Sequence, residues 1–597
     1  MRELGNGASS DMLRRGCEAN VADGLMNSSV QHLSRLGHSG AHRGNLHRDL
    51  RRYMKAHGIE GINQYALELP VQRLGGVGIQ WVEVPVLLPF DTIGYLYQNA
   101  SLDDFRERML GAGDVAGLHE FWRRAHGEEW FEHHPAKDEI EGSPGWFIPC
   151  RLYGDDAPVN NRSGIHVLTV CSAQCRLGPW LSRWLFAVLR EDILVPDLSL
   201  NVVFKVLKWA FSAMRTGRYP ACDHRGRPWP VESTRAAQAG TCFAGGLCFV
   251  YVQSIGDMKW EKETFKFEAN YSMDDMCHRC TASKKDGPCC YTDFRADAAW
   301  TLHPRTHDEY MRGPGAGNPL CQIDGFHLTT VLPDMMHIVA LGTLQVTVAS
   351  TLRELCESGQ WEANVLGGWR VRFDLQLKIA YREFTEWCQK HGHQTSQAPF
   401  SVNMMKMASL QSFPLFRGKA ANTLVVSRWL SDICAGIANS TGQQHDVVRA
   451  MMWWGFMQSV AICKDAGQFL SDGAAEELME CRECALLGFN HLALEAERAG
   501  RCLWPARPKL HAYDHMMRGA ARSKLNPAFY WCFIDEDLNG KLKKLCQRAP
   551  NAFTMVKFAS CRCGWHFGAV VRERAETHRQ HQQQERQQQE RQHHPQQ

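Results

Sequence analysis

Three acids stand far apart in this chain of 597 residues: Asp155 in LYGDDAPVNN, Asp257 at the end of VYVQSIGD, and Glu536 in FYWCFIDEDLNGKL. Carboxylates are the ligands that hard cations such as Mg²⁺ or Mn²⁺ prefer. Phosphoryl transfer with two such ions needs acids that hold them about 3.5–4 Å apart. Asp155 and its neighbour Asp156 both qualify as the first acid, and the strand-end position favours Asp155. Each segment also has a plain reading. Gly-Asp-Asp-Ala-Pro is a common turn, and Asp535-Glu536-Asp537 suits the first turn of a helix, where the macrodipole favours negative charge.

A second set of residues has softer ligands. Cys277-His-Arg-Cys280 places two thiols in a CxxC. Lys509-Leu-His511-Ala-Tyr-Asp-His515 places two imidazoles on one helical face. A CxxC with an HxxxH can hold one Zn²⁺ in a tetrahedron. The long interval between the two halves leaves competitors open: a local site from Cys277, Cys280, Cys289 and Cys290, further pairs at Cys481/Cys484 and at Cys561/Cys563 with His566, or cysteines that bind nothing.

The surrounding pattern must position these groups. Trp146–Tyr153 (WFIPCRLY) reads as a strand running into Gly-Asp-Asp, and Gly164–Ser172 (GIHVLTVCS) as the next strand after a turn signal. Helices are expected over Pro179–Ile193 and Asn201–Arg215. Gly246–Ile255 reads as a buried strand that ends at Gly256-Asp257. Strand, hairpin, helices and a strand with an acid at its end is the order of an RNase H-like core. Phe373–His391 and Val447–Asp465 carry apolar residues at helical spacing. The expected fold class is α/β, α+β overall: an RNase H-like mixed-sheet core, interrupted by a large helical insertion and preceded by a helical region. The divisions are 1–60, a polar basic lead-in whose stretch Gln31–Arg52 suits a DNA-contacting arm; 61–144, accessory and mainly helical; 145–280, the core with two acids and the CxxC; 281–500, the insertion; 501–571, the end of the core; and 572–597, a Gln/His/Arg-rich tail too polar to bury anything.

Composition sets wide bounds. Hydrophobic residues make up 44% and charged ones 22%, which suits a largely globular chain. A net charge of +3 neither announces nor excludes a nucleic-acid partner. The 23 cysteines, without an apolar leader, point to a reducing compartment. No apolar run approaches the ~20 residues of a membrane span.

The order Asp, Asp, CxxC, HxxxH, Glu resembles that of the CACTA (En/Spm) and plavaka-type DDE transposases, which are similar in turn to the recombination-activating recombinase of adaptive immunity. The stretches that carry it are LYGDDAPVNN, GDMKWEKETFKFEANYSMDDMCHRC, LPDMMHIVALGTLQ and PKLHAYDHMM with YWCFIDEDLNGKL, spread over residues 145–548. The resemblance implies that Asp155, Asp257 and Glu536 are the catalytic acids and hold Mg²⁺ or Mn²⁺. It implies that Cys277, Cys280, His511 and His515 hold a structural Zn²⁺, and that Asp334 and His337 form the family's DxxH element. It further implies a nuclear enzyme of DNA transposition and recombination, acting on double-stranded DNA as a homo-oligomer, with Lys541–Arg548 and Arg501–Lys509 near phosphates. No zinc-finger or helix-turn-helix module is evident before residue 145. Two rival readings therefore stand: a domesticated DNA- or chromatin-binding copy, and a zinc-containing interaction protein.

Overall fold

The computed structural model describes residues 62–547, apart from 74–75, 161–162 and 363–365, and part of the segment 568–584. The lead-in 1–60 with its Gln31–Arg52 arm, and the residues Cys561, Cys563 and His566, lie outside the described residues. Helices of eight residues or more are numbered below.

The centre is a mixed sheet of five strands: β3 (Phe147–Pro158), β4 (Gly164–Ser172), β5 (Trp184–Arg190), β6 (Cys248–Gly256) and β7 (Val331–Pro333), in the order β5-β4-β3-β6-β7. The first three pair antiparallel, while β6 lies parallel to β3 and β7 parallel to β6. All residues of β4 and β5 are buried. A sheet covered on both faces reads as continuous apolar sequence rather than as alternation. That explains the first correction. The helix expected over Pro179–Ile193 is a single turn, Pro179–Ser182, followed by β5. WLFAVLR is apolar on every face, so it has no period to separate strand from helix.

Other expectations are met. Asn201–Arg215 lies in a helix, Leu198–Thr216, and the buried strand before Asp257 spans Cys248–Gly256. Strand β3 runs on through Gly154-Asp155-Asp156 to Pro158, so the first acids sit within the strand and not beyond its end. Region 61–144 is not only helical. It opens with a hairpin, β1 (Tyr65–Gln72) on β2 (Ile79–Val86), before α1 (Pro89–Asn99), α2 (Leu102–Leu110) and α3 (Asp114–Ala125). The alternation in YALELPVQ, with every second residue buried at its start, was the signal for that hairpin.

Helix Leu198–Thr216 (α4) packs on β6, and α5 (Met258–Phe265) follows β6 directly. The stretch 281–500 is not insertion throughout, because β7 inside it is the fifth strand of the sheet. The helical part comes after β7: α6 (Leu344–Glu357), α7 (Trp369–Lys390), α8 (Ala420–Thr441), α9 (Gln444–Asp465), α10 (Asp472–Arg498) and α11 (Pro508–Ser523). These helices share a core around Trp429, Trp453 and Phe456, distinct from the core that lines the sheet. The chain then returns to the sheet as α12 (Phe533–Gln547). Near the C-terminus, Val571 and Ala575 are buried, and Arg574 pairs with Asp104 and Glu107 of α2. The tail's start therefore docks, against the expectation, because Val571 and Ala575 share one helical face.

Candidate functional site

Glycine precedes both aspartates, and the fold shows why. Gly154 and Gly256 face each other across the β3–β6 ladder. A Cβ on Gly154 would lie 2.1 Å from the Trp260 indole, and one on Gly256 would lie 2.4 Å from it. The missing side chains let Trp260 of α5 lie against the strand ends. Asp257 caps that same helix, its Oδ1 accepting the Trp260 N–H at 2.6 Å. Backbone packing thus holds both aspartates beside each other.

Successive strand residues point to opposite faces, and the two adjacent aspartates separate accordingly. Asp156 turns to His166 and Lys259, at 2.5 and 3.1 Å. Burial opposes its ionisation, but these partners hold its pKa down at about 2. Asp155 turns to α12. Its Oδ2 accepts from the Tyr153 hydroxyl at 3.1 Å and from Asn539 Nδ2 at 3.0 Å, and its Oδ1 accepts the Asp156 N–H at 2.8 Å. Tyr153 Oη also stands 3.5 Å from Glu536 Oε1.

Asp155 and Glu536 are close enough to perturb each other. Burial raises the pKa of Asp155, and the charge of Asp257 adds to this. Glu536 is pushed up to about 8, first by burial and then by the Asp155 carboxylate. Like charges in a desolvated site keep a proton until a cation replaces it. The three acids are not, however, a single tight cage. The described sets whose ligand atoms all lie within 4.8 Å of one another are Cys277/Cys280/His511/His515 and Asp334/His337/Cys532. An acidic trio serving two ions need not crowd around one point.

Two elements anchor Glu536. The neighbouring Asp535 receives both Arg183 Nε at 2.6 Å and Nη2 at 3.0 Å, a buried forked pair from the start of β5. On the other side His337 Nε2 lies 3.6 Å from Glu536 Oε1, while its Nδ1 lies 2.7 Å from Asp334 Oδ2. Burial disfavours the imidazolium, but Asp334 and then Glu536 raise His337 to about 9. Asp334 Oδ1 also accepts the Cys532 N–H at 2.8 Å. The DxxH element therefore ties the end of β7 to the turn that leads into α12. Lys509 of α11 donates to the His337 and Leu341 carbonyls, which belong to a wide π-type turn, Met336–Thr343.

The cysteines and histidines, read as halves of one site, do come together. Cys277 Sγ lies 3.5 Å from His515 Nε2, and Cys280 Sγ lies 3.3 Å from His511 Nε2 and 3.2 Å from His515 Nε2. A tetrahedral zinc with usual bond lengths would set sulfur and nitrogen roughly 3.5 Å apart. The group can hold a metal ion and is compatible with Zn²⁺. The Arg279 and Ala282 N–H groups donate to the two sulfurs, Arg305 Nε donates to the Cys277 and Cys280 carbonyls, and Trp300 packs against both imidazoles. Burial works against ionisation at Cys277, yet Cys280 and the imidazoles hold its thiol well below the usual range. Cys280, donating to that thiolate, is pushed up. Cys289 and Cys290 do not join this set; their sulfurs meet the hydroxyls of Thr281 and Thr292.

Beside Asp257 runs a cleft lined by Lys259, Tyr271, Gln345 and Arg507. The basic segments contribute less than expected. Arg501 pairs with Glu354 and Glu357, Lys509 is held inside, and Lys541 pairs with Asp537. Arg507, Lys543 and Lys544 remain solvent-accessible. Sequence reading missed Tyr153, Arg183, Asp535 and Asn539 as parts of the site. Tyr153, two residues before Asp155 on one strand face, Asp535, beside Glu536, and Asn539, one helical turn after Glu536, had visible signals.

No protein-family model matches this sequence, and no curated protein matches it.

Proposed function

We propose that this chain is a DDE-type DNA transposase with an RNase H-like core, which cuts DNA at the ends of an element and joins the freed 3′ hydroxyl to target DNA in the nucleus. The observation that carries this reading is that Asp155, on the central strand β3, lies close to both Asp257 after β6 and Glu536 of α12, acids up to 381 residues apart (536 − 155). The strand order β5-β4-β3-β6-β7, antiparallel then parallel, supports the RNase H-like assignment. So does the route of the chain, which leaves the sheet after β7 for a helical insertion and returns with Glu536.

Asp155, Asp257 and Glu536 are oxygen ligands suited to two Mg²⁺ or Mn²⁺, and burial followed by the neighbouring Asp155 carboxylate raises the pKa of Glu536. When bound, such ions activate the attacking oxygen and stabilise the leaving oxygen of an in-line displacement. The protein's own part is placement. Asp257 is fixed as a helix cap, Asp155 by three donors, and Glu536 by the anchors on its helix. The cleft beside Asp257 offers Arg507 to a phosphate and Tyr271 to a base or sugar.

The group Cys277, Cys280, His511 and His515 is read as a structural zinc site. It joins the segment after Asp257 to α11, close to the turn that leads to Glu536. Double-stranded DNA is the proposed partner, with a homo-oligomer bringing two ends together. The test is nicking and strand transfer on linear double-stranded DNA in Mg²⁺ or Mn²⁺. Activity in the wild type that Glu536→Gln abolishes is expected. Equal activity in both, or none in either, would sink the enzyme reading in favour of a DNA- or chromatin-binding role.

A further inference from the structure

Asn539 is one turn beyond Glu536 on α12 and almost fully buried, with 3% exposure. Its Nδ2 donates to Asp155 Oδ2 at 3.0 Å and to Tyr153 Oη at 2.8 Å. Tyr153, also buried, donates to the same Asp155 oxygen. One side chain of the Glu536 helix thus reaches across to the first acid, and the strand that carries this acid supplies a second donor. The amide orientation follows from chemistry, because turning it over would set an amide oxygen against a carboxylate oxygen. That leaves Asn539 Oδ1 buried and without a hydrogen-bond partner among the described residues. An orphaned buried carbonyl is costly, and an apolar residue would avoid it. What an apolar residue could not do is hold two carboxylates at a set separation.

We propose that Asn539, with Tyr153, is a positioning pair that sets the separation of Asp155 and Glu536 and thereby the affinity of the acidic site for divalent cations. This rests on the two-ion nuclease reading. The pair is neutral, and that matters. A lysine or arginine in place of Asn539 would also restrain Asp155, but it would put a positive charge where the ions belong. An amide and a phenol fix the carboxylate without cancelling its charge. A role confined to core packing would alter stability alone.

The test is Mn²⁺ binding by calorimetry on the full chain, together with DNA nicking across a Mn²⁺ series. The variants are Asn539→Leu, Tyr153→Phe, Asn539→Lys and Glu536→Gln. In Asn539→Leu and Tyr153→Phe, Mn²⁺ affinity is expected to fall about tenfold or more, as for lost partners of metal ligands. The Mn²⁺ concentration for half-maximal nicking should rise with it, and saturating Mn²⁺ should recover much of the maximal rate. Asn539→Lys should bind more weakly than Asn539→Leu. Wild-type Mn²⁺ affinity and an unshifted half-maximal concentration in a folded Asn539→Leu would overturn the proposal. If that variant does not fold, Tyr153→Phe decides, since it removes a single hydroxyl. A wild type that binds Mn²⁺ no better than Glu536→Gln would instead overturn the two-ion reading itself.

Discussion

Arg183→Met should loosen the helix that carries Glu536. The guanidinium makes two charge-assisted bonds to Asp535, with side chains 2% and 0% exposed. Removing it strands a carboxylate out of water. Breaking one side of a buried ion pair in this way costs about 3–5 kcal/mol. The partner sits in the first turn of α12, so the loss falls on that helix's attachment to the sheet. At about 1.4 kcal/mol per tenfold, opening of α12 should become more frequent by roughly two to nearly four orders of magnitude. Hydrogen exchange of the amides from Leu538 to Cys546, read by mass spectrometry on the native chain, measures this directly. Arg183→Met combined with Asp535→Leu should restore most of the protection, because an apolar pair carries no stranded charge. Exchange in Arg183→Met within about threefold of wild type, far short of that expectation, would show that this pair does not hold α12. Failure of the double variant to recover would show that the stranded charge is not the cause.

The remaining predictions concern separate parts of the molecule. The purified chain should carry a single zinc, lost on Cys280→Ser or His511→Ala and retained on Cys289→Ser, as read by metal analysis; zinc that survives the first two changes would point to another site. Gly154→Ala should cost about 1–3 kcal/mol by overpacking against Trp260, whereas Gly436→Ala, exposed in α8 with open space at its Cβ, should be neutral or stabilising by up to about 1 kcal/mol; paired melting curves compare the two. His134 is buried, and burial lowers its pKa to about 4. Between that value and the ordinary 6.5 the unfolded chain binds the extra proton, so stability should fall as pH drops through this window, by up to about 3 kcal/mol. His134→Leu should flatten that part of the stability–pH curve.

The sequence alone marked which groups could do chemistry. The acids follow apolar strand segments or open a helix, and CxxC and HxxxH announce themselves by local spacing. Each half of the zinc-type set is legible because it lies within one short segment, where spacing dictates geometry; that the two halves belong together is implied only by the family resemblance. Strand β4 and helices α4 and α9 were legible for the same reason: their period, or their turn signals, belong to the segment itself. Strand β5 was not, because a segment buried on all sides has no polar face to reveal its repeat. The short β7 was hidden too, since its three residues are a strand only through pairing with β6. Tertiary structure also decided that Asp155, not Asp156, faces Glu536, because alternation along β3 sends neighbours to opposite faces. The contacts of Arg183 with Asp535, Asn539 with Asp155 and His337 with Glu536 join residues 199 to 384 positions apart. No local pattern encodes such pairs, because the energy that selects them arises only when burial removes water from both partners at once.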